Sequence, residues 1–229
     1  LRPSLRLSAL SGLPVTYVFT HDSIGFGEDG PTHQPIEHLM SLRAMPNVTI
    51  LRPADANEVV EAWRVAVHQT DGPTALVLTR QSVPTFDRST MAPARGLQRG
   101  GYILDDDDGA PDVILMGSGS EVQHAVSAAR TLRDEDDLNV RVVSLPSWEL
   151  FAEQSEAYRK EVLPPEVTAR VAIEAGSTHG WAEHVGPRGA AMGMDRLDAS
   201  APGGPNMEQF GVTAASAVTT ARDVLARTA

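Results

Sequence analysis

Residues 20–35, THDSIGFGEDGPTHQP, gather more reactive side-chain chemistry than any other stretch of the sequence. His21 and His33 can donate to phosphate or hydroxyl oxygens, move protons near neutral pH, or ligate a metal with Asp22, Glu28 or Asp29. Spacing alone does not choose among these chemistries. The set matches no compact metal motif such as HExxH, which weighs against the metal reading. Gly25, Gly27 and Gly30 allow backbone shapes that side chains would obstruct. A polar loop of this length is costly to order unless it has a function. Arg80, at the end of TALVLTR, carries a guanidinium suited to a bidentate grip on a phosphoryl group.

Three other sets carry weaker signals. Gly117-Ser118-Gly119-Ser120 could cradle an anion, but it lacks GxGxxG spacing because position 122 is Val, and a tight strand-to-helix turn capped by Ser118 or Ser120 is favoured. Glu183, His179 and His184, around Trp181, read as packing or interface residues rather than a catalytic set. The Asp105–Asp108 run reads as a solvated turn rather than a cation site, since consecutive carboxylates lack the alternating ligand spacing of a calcium loop.

The elements that must position these groups alternate in type. Apolar or β-branched runs at Val15–Phe19, Val48–Leu51 and Thr74–Leu78 are separated by helical stretches, which predicts a layered α/β sheet with crossovers on both faces. If so, the loop at 20–35 and Arg80 leave the carboxyl edge of one sheet, where ligand crevices form. The helix after Pro53 is expected to be capped by Asp55 with Glu58 at the box position. Val59, Ala62, Trp63, Ala66 and Val67 form its buried stripe, with Trp63 a core anchor. Residues 81–99 are polar and weakly periodic, which reads as a linker. Further strands are expected at Tyr102–Leu104, Val113–Met116, Val140–Leu145 and Arg170–Glu174, with helices over 120–133 and from Thr213. A first helix runs through LRPSLRLSAL with no strand before it, so the first unit is expected to be incomplete at its amino terminus.

Composition bounds the partners. The 229 residues carry 30 acids and 19 bases, a formal net charge of -11, so no general electrostatic footprint for nucleic acid or anionic membranes exists. The sequence contains no cysteine, which closes thiol nucleophiles and disulfides. No long apolar run or leader pattern is present, and a soluble, cytoplasmic protein is the expectation. Residues 1–80 have 8 acids and 6 bases, so most of the excess charge lies beyond the reactive loop.

THDSIGFGEDGPTHQP closely resembles the signature of transketolase, and LRPSLRLSALSGLPVTYVF, SLRAMPNVTILRPAD, DGPTALVLTRQ, QRGGYIL, GSGSEV and LPPEVTARVAIEAG extend the likeness, in order, over nearly the whole chain. The resemblance implies the carboxy-terminal portion of such an enzyme: a partial pyrimidine-binding domain over 1–80, a linker over 81–97 and a C-terminal α/β domain over 98–229. The fold class is then two consecutive three-layer α/β units with mostly parallel sheets. The implied reaction moves a two-carbon ketol unit from a ketose phosphate to an aldose phosphate, using thiamine diphosphate and a divalent metal, Mg or Ca. His21 and Arg80 would grip the sugar phosphate, Asp29 would accept from the hydroxyl beside the reacting carbonyl, and His33 would sit near the thiamine.

By the same resemblance, most cofactor-binding residues belong to an amino-terminal part absent from this sequence. No tight cofactor or metal binding is therefore expected of this chain alone, which would be inactive by itself. The implied partners are sugar phosphates, the amino-terminal part, and a second copy in a homodimer of the complete enzyme. The sequence departs from the family pattern at Leu197-Asp198-Ala199-Ser200-Ala201-Pro202, followed by GGPNMEQFG, read as a loop. A non-catalytic phosphosugar-binding or assembly module is the alternative, and a metal-dependent hydrolase is a weaker third reading.

Overall fold

Short apolar strands build two sheets whose central strands are buried on both faces. In the computed structural model, which describes residues 2–197 and 200–228, the elements run α1 (Arg2–Leu10), β1 (Thr16–Thr20), α2 (His38–Arg43), β2 (Thr49–Leu51), α3 (Ala56–His68) and β3 (Thr74–Leu78). They continue as β4 (Tyr102–Asp105), β5 (Val113–Gly117), α4 (Val122–Asp136), β6 (Val140–Ser144), α5 (Trp148–Ala152), α6 (Glu156–Val162) and β7 (Arg170–Ile173). Then come α7 (Ala182–Val185), β8 (Ala190–Met192), α8 (Gly203–Gln209) and α9 (Ala214–Thr228). The expected tandem of α/β units is present.

The first sheet is parallel in the order β1-β3-β2, with Thr20 opposite Leu78. Because side chains alternate along a strand, Ala75 and Val77 pack with Leu5, Ala9, Leu39 and Ile50, while Leu76 joins Leu51, Ala62 and Ala66 on the opposite face. The parallel register sends the ends of β1 and β3 out on the same edge, so residues 21–35 and Arg80 emerge together. The second sheet has the order β4-β6-β5-β7-β8, with β4 antiparallel and the other pairs parallel. Val113 and Leu115 pack towards α4 and α9, whereas Ile114 and Met116 pack with Phe151, Val162 and Trp181.

Helix α3 starts as its sequence predicts. Asp55 accepts from the Glu58 amide at 2.8 Å, and the Glu58 carboxylate accepts from the Ala54 amide at 2.8 Å. Its buried stripe, however, is rotated from the expected one. Trp63 is 41% exposed and Val67 67% exposed, while Glu58, Glu61, Ala62 and Ala66 are buried. Trp63 is therefore not a core anchor. The cause is polar: Glu58 accepts from Tyr102 Oη and Ser144 Oγ, each at 2.7 Å, and Glu61 accepts from Gln98 at 2.7 Å. These bonds turn two glutamates inward and push Trp63 out. Burial raises the Glu58 pKa, while the bonds from Ser144, Ala54 and Tyr102 oppose that rise.

Two other expectations change. GGPNMEQFG is not a loop but largely α8, with Asn206 and Met207 buried; Asp198 and Ala199 of the preceding segment lie outside the described residues. The segment after β3, read as a linker, is held by specific contacts. Phe86 N donates to Asp55 at 2.9 Å, Arg88 pairs with the same carboxylate at 3.1 Å, and a 3-10 helix at Ala94–Arg99 buries Leu97. The Asp105–Asp108 turn is not simply solvated either: Arg133 pairs with Asp105 and Asp107, and Arg141 with Asp106.

The rotated stripe makes a sharp contrast between neighbours. Ala62→Leu should overpack the core and cost about 1–3 kcal/mol, whereas Trp63→Gln should change stability by no more than about 0.5 kcal/mol. Urea unfolding of the two variants checks this, and a large loss in Trp63→Gln would contradict the orientation of α3.

Candidate functional site

The loop after β1 is shaped by its backbone and fastened by its buried residues. His21 adopts a left-handed conformation, φ 65°, which is uncommon for a side chain with a Cβ and turns the chain sharply out of the strand. Asp22 and Ser23 are buried, and Ser23 accepts from Gly25 N at 3.3 Å to cap a 3-10 turn over Ile24–Phe26. Gly27 at φ 109° and Gly30 at φ 81° occupy conformations that favour glycine. The Gly30 carbonyl then accepts from His33 N at 3.0 Å, setting the second histidine. Ser200 donates to the Glu28 carbonyl at 2.8 Å, tying the loop to the second unit.

With Asp22, Ser23, Ile24 and Phe26 turned in, His21, Asp29 and His33 are left exposed. His21, Asp29 and His33 line one cavity of about 410 Å³ together with Phe19, Phe26 and Leu39. Each imidazole is steadied by its neighbour: His21 Nδ1 lies 3.0 Å from Thr20 Oγ1, and His33 Nδ1 lies 2.9 Å from Thr32 Oγ1. Arg80 lines an adjoining cavity of about 770 Å³ with Gln81, Ser120 and His124, and Phe26 and Asp29 border both. His21, His33 and Asp29 thus share a cavity, which His38 and Asp22 also line, and the guanidinium sits on the far side of the Phe26–Asp29 divide. Among the described residues, no group of three or more His, Asp or Glu is placed to hold a metal ion.

Beneath the loop is a polar network that the sequence reading missed. Arg52, directly after β2, is fully buried. Its guanidinium pairs with Asp22 at 2.7 Å and with Glu121, and donates to the Ser118 carbonyl at 2.6 Å. Burial alone would lower the Arg52 pKa, but Asp22, Glu121 and Glu174 outweigh it and hold the group charged. Glu174, just past β7, takes Arg43 in a bidentate pair at 2.7 and 2.8 Å and accepts from Trp181 Nε1 at 3.0 Å and from Ser118 Oγ. Burial would raise its pKa; Arg43 first, then Arg52, reverse that and bring it to about 2.

This network corrects the reading of GSGS. Ser118 and Ser120 make no side-chain cap. Their hydroxyls go instead to Glu174 and Glu121. Arg52 packs directly against the turn: a Cβ on Gly119 would lie 2.5 Å from the Arg52 Cζ. One signal for the network was available. Asp22, Arg52, Ser118 and Glu174 each follow a parallel strand within two residues, where side chains meet at the carboxyl edge.

His184 is packing, as its surroundings suggested. It is 8% exposed, with its ring centroid 4.7 Å from that of Trp148 and 5.7 Å from that of Trp181. Burial chiefly, with repulsion from Arg43 and Arg170 exceeding the help of Glu174, lowers its pKa from 6.5 to about 4.

Fold and site together define a tandem α/β protein with a polar crevice at the carboxyl edge of its first sheet, walled partly by its second unit. The comparisons make the assignment specific. Residues 1–85 match the family model for the transketolase pyrimidine-binding domain, and residues 100–213 match that for the transketolase-like C-terminal domain. Transketolase from Geobacillus stearothermophilus is 51% identical over 228 residues, covering 99% of this chain and 34% of that relative. The structure of transketolase from Leishmania mexicana superposes with a TM-score of 0.91 at 42% identity, over 98% of this chain and 32% of that one. A Pichia stipitis transketolase in complex with sedoheptulose 7-phosphate gives 0.89 at 38% identity, over 98% and 32%. The chain belongs to the transketolase family and spans about a third of the length of the relatives it matches.

Two measurements test the site's foundations. Arg52→Met leaves Asp22 and Glu121 buried without their cation and should cost roughly 3–5 kcal/mol, read from urea midpoints; an unchanged midpoint would refute the network's role. His184 keeps its proton off in the folded chain down to about pH 4 but takes it up near 6.5 when unfolded. Its contribution is therefore full above pH 6.5 and fades as pH falls towards 4, by about 2 kcal/mol between pH 7 and 5. The His184→Phe chain should lose correspondingly less stability over that interval, and equal losses would contradict the assignment.

Proposed function

We propose that this chain supplies the sugar-phosphate-gripping half of a thiamine diphosphate-dependent transketolase, which transfers a two-carbon ketol unit from a ketose phosphate to an aldose phosphate. The carrying observation is that His21, Asp29 and His33 line one cavity, with Arg80 on the adjoining one, at the carboxyl edge of the first sheet. In this reading residues 1–80 form the later part of the pyrimidine-binding domain, 81–97 the linker and 98–229 the C-terminal domain.

Each residue's role follows from its chemistry. Arg80 and His21 donate to the terminal phosphate, Arg80 with two parallel N–H groups and a fixed charge. Asp29, ionised, accepts from the hydroxyl beside the reacting carbonyl and so discriminates its configuration. His33 orients the reacting oxygens and moves a proton at Nε2, its Nδ1 being held against Thr32 Oγ1. The left-handed backbone at His21 points the imidazole from a fixed position, so little ordering remains to be done on binding.

The donor set fits the sugar rather than the metal-diphosphate group, because no three metal-capable side chains gather among the described residues. The cofactor's diphosphate and its Mg or Ca ion are therefore assigned to the amino-terminal part of the enzyme, with His33 this chain's contact to the thiamine. When bound, the thiamine stabilises the carbanion of the transferred unit. The working enzyme is accordingly this segment with an amino-terminal part, dimeric and cytoplasmic, and the 229 residues alone do not turn over. The sugar phosphate named with the Pichia stipitis relative supports the substrate class.

The test is ketol transfer by this chain together with an amino-terminal transketolase part, cofactor and Mg. Arg80→Ala should lower kcat/KM for phosphorylated donors roughly 10- to 100-fold, the loss of one charge-assisted grip, and leave unphosphorylated donors unchanged. Equal effects on both donor types would overturn the Arg80 assignment. Calorimetric binding of a sugar phosphate without turnover in any combination would instead support a non-catalytic module.

A further inference from the structure

Away from the sugar crevice, α2 of the first unit and α5, α6 and α7 of the second border a concavity of about 470 Å³. Three of its lining residues hold buried polar atoms with no partner among the described residues: Arg43 Nε, Trp148 Nε1 and His184 Nε2. Unpaired buried donors are unfavourable and are usually satisfied. Arg43 Nε and Trp148 Nε1 are donors, and finding both unpaired on residues that line the same hollow marks a site that receives acceptors from outside the chain.

The three groups are also held rigidly. The other guanidinium nitrogens of Arg43 are fixed by the bidentate pair with Glu174, and its side chain is only 3% exposed. Its Cζ lies 3.9 Å over the Trp148 ring, whose other contacts are the edges of Trp181 and His184. None of these rings can turn away to find another partner without breaking the stack.

Charge favours an anion. Arg170, which also lines the hollow, donates only to carbonyls, those of Val167, His184, Leu163 and Pro164, with no carboxylate paired to it. Lys160 stands at the rim, paired with Glu156. Four cations, Arg43, Arg159, Lys160 and Arg170, line the hollow against three carboxylates, Glu149, Glu156 and Glu183, and one oxygen of Glu149 is taken by the Ile50 amide and Ser147 Oγ. Phe151 and Leu163 give the same hollow an apolar wall.

We propose that this hollow binds a small organic anion, whose carboxylate or phosphate oxygens accept from Trp148 Nε1 and Arg43 Nε while its apolar body lies against Phe151 and Leu163. Binding here requires neither the sugar crevice nor ketol transfer, so the site stands or falls separately from the activity.

The test is a two-dimensional 15N–1H spectrum of the full chain, which has three indole N–H resonances, one for each Trp. Trp148→Phe assigns the resonance of interest. Benzoate should shift it saturably with Kd on the order of 1 mM, the strength expected of so few atoms, and leave the Trp63 resonance in place. Benzyl alcohol, which has the same body without the charge, should bind at least roughly tenfold more weakly. Inorganic phosphate shifting the same resonance while acetate does not would identify the phosphate source, and the reverse the carboxylate source. In ligand-observed spectra, Trp148→Phe should weaken benzoate binding about tenfold. If that variant does not fold, as judged by circular dichroism, Lys160→Gln serves instead and should weaken benzoate but not benzyl alcohol. No saturable shift with benzoate, phosphate or acetate, or equal binding of benzoate and benzyl alcohol, overturns the proposal and leaves the hollow to solvent.

Discussion

Arg52 is the point on which the two halves of the structure converge. Its guanidinium lies in a space with no exposure to solvent and meets three elements: Nε and Nη2 face Asp22 from the loop after β1, while Nη1 faces Ser118 and Glu121 from the turn into α4 and lies 3.9 Å from Glu174 past β7. A charge placed there has no water to fall back on, so its partners must be present together. That requirement couples the first sheet to the second more specifically than apolar contact could, because apolar surfaces tolerate sliding and a hydrogen-bonded fork does not.

The loop after β1 inherits its shape from this arrangement. Asp22 is drawn inwards by Arg52, Ile24 and Phe26 follow into the interior, and the residues between and beyond them, His21, Asp29 and His33, are left at the surface of one cavity. The left-handed residue at position 21 is the cost of making that reversal directly after a strand. Glu174 extends the same network outwards, since the arginine that stabilises it, Arg43, lies against Trp148 and beside the hollow of the second unit. The network thus reaches both concave regions, with Asp22 bordering the cavity of His21 and His33 and Arg43 bordering the hollow.

Much of this was readable in the sequence, and where it was not the reason is physical. Strands with apolar runs, the capping pair Asp55 and Glu58, and a glycine-rich loop at a strand's end are all local features, encoded in residues close together along the chain. The face of α3 was misjudged because helix periodicity ranks apolar residues as inward, yet Glu58 and Glu61 find partners at Tyr102, Ser144 and Gln98, between 37 and 86 residues away. With two carboxylates satisfied inside, Trp63 and Val67 are left outside. The serines of GSGS failed as caps for a similar reason, since buried carboxylates from elsewhere competed for their hydroxyls.

By itself, the sequence determined the class of fold, the position of the reactive loop and the kinship that its motif carries, since these depend on residue type, period and short spacing. Only the tertiary structure decided which charges are buried, which face of α3 is dry, that Arg80 opens onto a cavity beside the one lined by His21 and His33, and that the unpaired donors of Arg43 and Trp148 line one hollow. Those outcomes depend on partners far apart in the chain, and the free energy of a buried charge or donor is set by whether such a partner arrives, which no local pattern records.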